Sequence, residues 1–342
     1  MKSHKSNLNQ KIPKKFPKFR NHQIRYDRIL VAFVIPILLL IALITGISSC
    51  FRKKQNPEES DMPEQGNLNS SSYSGYSDIS ENSAQKQTYM NVSLETAKIH
   101  SGNLLLVNEA HPCEFDHQAI ADGTSPDLNF VTIKSILDAK NTSLKPYTAS
   151  DWEVGLDRTA AQAMDAWFTA FSTSTNHHDL RMIGGYKPDA TDSDFQTGRT
   201  ITVGIFPETG SSYAYKPEGE YTWLSEHAAE YGFILRYPEE KSEFFDKTIT
   251  ERRTATFRYV GVPAALYMRE HNLCLEEFLQ EIKNYTLENK LVIAGGTKVY
   301  YMYYVPADMG SEVTTFRVPD NRDYYEVSGN NMDGFVIAIH GK

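Results

Sequence analysis

The chain of 342 residues has only three cysteines, Cys50, Cys113 and Cys274. That is too few for a disulfide framework, and their spacing matches no metal-binding pattern. Basic residues are scarce beyond residue 28. Nine of the 35 Lys and Arg lie in residues 1–28, which leaves 26 bases against 42 acids in the rest, a net formal charge of −16. Nucleic-acid affinity comes largely from cationic side chains, so the main body is not expected to bind nucleic acid. No repeat of solenoid length is visible. Charge of either sign is missing altogether from Ile29 to Phe51.

That uncharged run consists mostly of Ile, Leu, Val, Ala and Phe, and about twenty such residues suffice to span a bilayer as a helix. Pro36 is tolerated in such a span. The nine bases before the run outweigh Arg52, Lys53 and Lys54 after it, so the N-terminus is expected in the cytoplasm and the remainder outside. Ile47-Ser48-Ser49-Cys50 also has the form of a lipoprotein box, so lipidation at Cys50 stays open beside an uncleaved anchor. Either arrangement places the protein at the outer face of a bacterial cell membrane. In such a compartment Cys113 and Cys274 are free to pair or to remain thiols.

The expected organisation is a basic cytoplasmic segment (1–28), a transmembrane helix (29–51), a flexible linker (52–98), a main domain (99–288) and a β-rich appendage (289–342). The linker follows from its Ser, Asn, Gln, Glu, Gly and Pro content, which cannot bury a core. In the main domain, 104–107 reads as a short buried strand. Apolar residues at helical spacing predict helices over 157–172, 221–232, 263–270 and 275–285. Strands are expected at 182–186, 201–206 and 233–236. After residue 290 five short alternating segments, divided by turn residues, read as strands.

Three segments carry a resemblance. SGNLLLVNEAHP (101–112), AAEYGFILRYPEEK (228–241) and FRYVGVPAALYMREHNLCLEEFL (257–279) resemble VanY-type D-alanyl-D-alanine carboxypeptidases over about residues 101–280. The resemblance implies an α+β fold shared with the hedgehog signalling domain, an antiparallel sheet with flanking helices. It also implies a zinc ion held by two His and one Asp, a Glu base, and a substrate ending in D-Ala-D-Ala on a peptidoglycan stem peptide. A catalytic zinc needs three protein ligands and an open position for water.

At those positions this chain differs. The family pattern S-x-H-x-x-G-x-A-x-D reads here Ser193 to Thr202, with Phe195 in place of the His and Thr202 in place of the Asp. In the frame that ends H-[FY]-R-Y-V-G, Thr256 replaces the last His and Arg253 the Glu. Phe offers no lone pair and a neutral Thr hydroxyl is a poor zinc ligand. No catalytic residue and no metal ligand are therefore assigned, and no cofactor is expected. The substrate side implied by the resemblance comprises Tyr186, Lys187, Ser193, Gln196 and Arg258, with Lys187 where the family has an Arg. Lys187 keeps the charge but not the bidentate fork. Segment 188–192 is short for the family.

Other residues stay open as an alternative metal set: His177, His178 and Asp179, His227, Glu251, and His111 and His117 around Cys113. The expected function is a non-catalytic, membrane-anchored homologue that binds a stem peptide or an envelope protein. An active zinc D,D-carboxypeptidase with unrecognised ligands and a purely structural envelope role remain as alternatives.

Overall fold

The computed structural model describes residues 88–151, 153–245, 255–320 and 324–341. The apolar run at 29–51, Cys50, Glu251 and Arg253 lie outside them. Among the described residues no helix is long and apolar enough to cross a membrane.

The chain enters through β1 (Tyr89–Glu95), then α1 (His117–Ala121), β2 (Phe130–Thr132), α2 (Ile133–Ala139), β3 (Thr148–Ala149) and β4 (Gly155–Asp157). The long helix α3 (Arg158–Thr175) leads into β5 (Leu180–Gly184), β6 (Thr200–Ile205) and β7 (Tyr213–Ala214). Next come α4 (Thr222–His227), β8 (Phe233–Leu235), β9 (Thr256–Tyr259), α5 (Val262–His271) and α6 (Leu275–Glu281). The last strands are β10 (Leu291–Gly295), β11 (Lys298–Pro306), β12 (Val313–Pro319), β13 (Tyr324–Gly329) and β14 (Gly334–His340). The class is α+β, as the resemblance implies.

The central sheet has the order β3-β5-β6-β9-β8, with β7 paired to β6. All its pairings are antiparallel except β3 with β5. Side chains alternate across a strand, so its two faces differ. Ile201, Val203 and Phe257 point to one face and pack with Met164, Trp167 and Phe168 of α3. Trp167 is fully buried, stacked 5.0 Å from Phe233 and edge-on 5.1 Å from Phe257. Its indole N–H donates to the Leu224 carbonyl at 3.0 Å. Asp157 starts the helix by accepting from the Thr159 N–H at 3.0 Å, and Asn176 ends it in a left-handed conformation. The opposite face carries Thr200, Thr202, Thr256 and Arg258.

Three expectations need correction. Residues 89–98, expected in the linker, are ordered. β1 pairs along its whole length with β12, from Tyr89 opposite Pro319 to Glu95 opposite Val313. Residues 104–107 are buried but form no strand. Their backbone is satisfied by other groups: the Leu104 N–H donates to Ser328 Oγ, the Leu106 N–H to the Asn330 carbonyl, and Asn331 Nδ2 to the Leu106 carbonyl. The expected helix 221–232 is broken into α4 and a 3-10 turn, Ala228–Tyr231. The sheet β10-β11-β14-β13 forms as expected after residue 290. It is not a detached appendage, because Leu291, Met302 and Ala338 share one core with Leu104, Ala265 and Phe278.

Candidate functional site

The polar face of the central sheet is built by strand register. Thr202 on β6 lies directly opposite Thr256 on β9, and Thr200 opposite Arg258. The 3-10 turn Ser193–Thr197 brings Phe195 to the same place. A methyl group built on Gly184 would lie 3.2 Å from Thr202 Oγ1 and 3.5 Å from Phe195 Cε1. The three positions aligned with zinc ligands therefore converge in space, although they are far apart in sequence.

Phe195 and Thr202 form the floor of a cleft of about 530 Å³. Its walls include Asp151, Glu153, Tyr186, Lys187 and Asp192. A β-bulge between Met182 and Gly184 shapes one side. Gly185 must lack a side chain, since a Cβ there would fall 2.5 Å from the Gly155 carbonyl oxygen. The adjoining backbone is tied down, with the Tyr186 N–H donating to the Gly155 carbonyl at 2.9 Å. The Lys187 N–H donates to the Phe195 carbonyl at 3.3 Å.

The five residues expected on the substrate side do not stay together. Tyr186 and Lys187 line this cleft. The Tyr186 hydroxyl is engaged with His117 Nδ1 at 2.9 Å, and burial, followed by the nearby Cys113, pushes its pKa up to about 12. Lys187 is largely exposed, with Asp189 3.9 Å away. Ser193 and Gln196 line a neighbouring cavity of about 790 Å³, walled by Tyr237, Phe244 and Phe245. The two cavities meet at Ala190, Thr191 and Asp192. Arg258 is a correction: it is fully buried and lines neither of these two cavities. Its position on β9, opposite Thr200, turns its guanidinium into the protein.

What Arg258 meets there is Asp194, which the sequence reading passed over. Asp194 is fully buried. Its Oδ1 accepts from Arg258 Nη1 at 3.0 Å, and its Oδ2 from the Thr200 hydroxyl at 2.5 Å. Arg258 also donates to Thr197 Oγ1 and to the carbonyls of Asn103 and Leu105. Arg236 places Nε 3.2 Å from Asp194 Oδ1, an ionic contact not aligned as a hydrogen bond. Its two outer nitrogens grip Glu276 at 3.2 and 2.9 Å. Burial disfavours the Asp194 charge, but Arg258, Arg236 and the Thr200 hydroxyl outweigh it and hold the carboxyl below its ordinary value. Asp192 shows the reverse. Burial, then the charge of Asp194, raise its pKa, although it accepts from the Tyr237 hydroxyl at 2.7 Å.

The side chains at the three aligned positions do not fit a zinc ion. Phe195 has no donor atom, and the hydroxyls of Thr202 and Thr256 are neutral and almost completely buried. The alternative His residues are dispersed. His177 Nε2 faces Glu220 at 2.8 Å, while His178 Nδ1 faces Ser172 Oγ at 3.2 Å. His227 stacks on Trp223 and meets Glu230. Among the described residues no group of three or more His, Cys, Asp or Glu is arranged to hold a metal. Cys113 and Cys274 are both free thiols, half-buried and buried respectively.

No family model matches the chain. It is 27% identical over 268 residues to a D-alanyl-D-alanine carboxypeptidase of Enterococcus faecium, covering 76% of this chain and 82% of that protein. A D-alanyl-D-alanine carboxypeptidase of Enterococcus faecalis is 41% identical over 63 residues, which is 18% of this chain and 22% of that one. Among solved structures, the vancomycin resistance D,D-dipeptidase VanXYg, in complex with a D-Ala-D-Ala phosphinate analog, is similar with a TM-score of 0.54 and 25% identity. The match covers 74% of this chain and 99% of that one. In sequence over most of its length, and in fold, the chain is thus similar to VanY-type D-alanyl-D-alanine carboxypeptidases.

Proposed function

We propose that this chain is a membrane-anchored, outward-facing VanY-type homologue that holds the D-Ala-D-Ala end of a peptidoglycan stem peptide without zinc-assisted hydrolysis. One observation carries the reading. Of the three positions aligned with the metal ligands, Phe195 and Thr202 line an open cleft and Thr256 lies directly opposite Thr202, yet none of the three side chains is a His or an Asp. The cleft is present, and the three aligned positions offer it none of the donors the family pattern implies. Lys187 at the rim offers a positive charge for a terminal carboxylate. The names of the Enterococcus relatives, and the D-Ala-D-Ala analog bound by the dipeptidase, support the choice of ligand. The uncharged run 29–51 and the basic segment before it support the anchor and its orientation.

The test uses the full-length chain in detergent, with excess zinc and without chelator. Elemental analysis should find less than about a tenth of an equivalent of zinc, as expected where donor atoms are lacking. Calorimetric titration should detect a pentapeptide ending in D-Ala-D-Ala, and no D-Ala should be released. Near-stoichiometric zinc with D-Ala release would instead establish an active carboxypeptidase. Absence of peptide binding, with an envelope protein co-purifying, would move the reading to an assembly role.

A further inference from the structure

The family resemblance puts a metal between three segments: the 193–197 turn, β6 and β9. A zinc ion with one ligand on each would cross-link them as well as catalyse. In this chain Phe195, Thr202 and Thr256 do not offer that set of metal donors. One residue away, Asp194 makes a cross-link of its own. It sits on the turn, accepts from Thr200 of β6 through Oδ2, and accepts from Arg258 of β9 through Oδ1. Thr200 and Arg258 are themselves register partners, as Thr202 and Thr256 are. The carboxylate thus joins the same three segments, displaced by one turn residue and one pair of rungs. Thr197 reinforces the link, receiving from Arg258 and donating to the Asp194 carbonyl at 2.7 Å.

We propose that Asp194 is the positioning residue of this site, a metal-independent cross-link that holds the Phe195 turn against β6 and β9. The geometry suits the task. Asp194, Arg258 and Arg236 are all essentially inaccessible to water. A buried pair of this kind contributes little over an apolar substitute, but losing one partner strands the other charge. It therefore fixes where the turn must lie more than it adds stability. The inference rests on the absence of a metal in the proposed function, but needs no peptide ligand, so the two can fail separately.

The experiment measures thermal unfolding of the full-length chain in detergent, with EDTA and with excess zinc. The wild-type midpoint should be the same in both. Asp194→Asn should lower it by roughly 10 °C, and the milder Thr200→Val by roughly 3 °C. Hydrogen exchange in Thr200→Val should quicken over 193–202 and 256–258 and remain unchanged in α3. A second variant set distinguishes a cross-link from general packing. Phe195→His, Thr202→Asp and Thr256→His are installed together in the Thr200→Val background. The expected result is one equivalent of bound zinc and recovery of the lost midpoint only when zinc is present. Zinc binding without recovery would overturn the proposal. So would failure of the triple variant to bind zinc, since the three positions would then not converge. A wild-type midpoint that falls with EDTA would overturn it as well.

Discussion

Thr202 on β6 stands directly opposite Thr256 on β9, on the face of the sheet turned away from the Trp167 core. In the family frame an Asp and a His occupy these two places. Here the two places hold buried hydroxyls in register on adjacent strands, and a neutral hydroxyl is a poor zinc ligand. Threonine is well suited to such places, being β-branched and compatible with a pleated surface.

Lys187 is the charged group on which recognition of a terminal carboxylate would depend. It is exposed and its nearest acid is Asp189 at 3.9 Å, so it adds little to stability. Lys187→Ala should leave the unfolding midpoint unchanged and weaken binding of a D-Ala-D-Ala pentapeptide by about tenfold, the scale of one charged hydrogen bond. Calorimetric titration checks this. An unchanged affinity would place the carboxylate elsewhere.

Gly185→Ala should disturb the cleft from behind. The added methyl would fall 2.5 Å from both the Gly155 carbonyl oxygen and Met182 Cε. Met182 can move, but the carbonyl belongs to β4 and cannot do so freely. A loss of about 1–3 kcal/mol in denaturant unfolding is expected, as for other overpacked sites. A neutral result would show that β4 and β5 separate easily.

Asp192 supplies a pH test. Its folded pKa is raised above the unfolded value, first by burial and then by Asp194. A group of this kind favours the fold fully below its unfolded pKa and loses that contribution as pH rises through the folded value. Asp192→Asn stays neutral and keeps an oxygen for the Tyr237 hydroxyl. The variant should melt at a higher temperature than wild type near neutral pH, and the difference should vanish as pH falls towards about 4. Calorimetry across that range decides it. A variant less stable than wild type at neutral pH would mean that the Asp192 charge helps the fold.

Trp167→Ala probes the other face of the sheet. Trp167 is fully enclosed between Phe168, Phe233 and Phe257. Its truncation should cost about 3–5 kcal/mol in denaturant unfolding, the range for large aromatic side chains in cores. A loss under 1 kcal/mol would mean that α3 settles inward and closes the cavity.

The sequence by itself carried the resemblance to the family and the expectation that Phe195, Thr202 and Thr256 stand where its metal donors would be, because motif letters read along the chain specify which atoms are available. It also determined α3 and the late strands, whose apolar residues recur at helical or alternating spacing. β1 could have been found on the same grounds, since Val92 and Leu94 alternate with polar residues, but it lies at the end of a polar tract and its partner β12 follows more than 200 residues later. Tertiary structure alone decided the rest. Arg258 has the letter of a substrate-binding residue, but strand register turns it inward to Asp194. Ser193 and Gln196 share a turn with Phe195, yet line a different cavity. Segment 104–107 has the composition of a strand, but its backbone partners are Ser328, Asn330, Asn331 and Arg258 rather than another strand. Local pattern reports which residues prefer to be buried. Which buried groups meet depends on pairings across the whole chain, and those were settled only when the sheet closed.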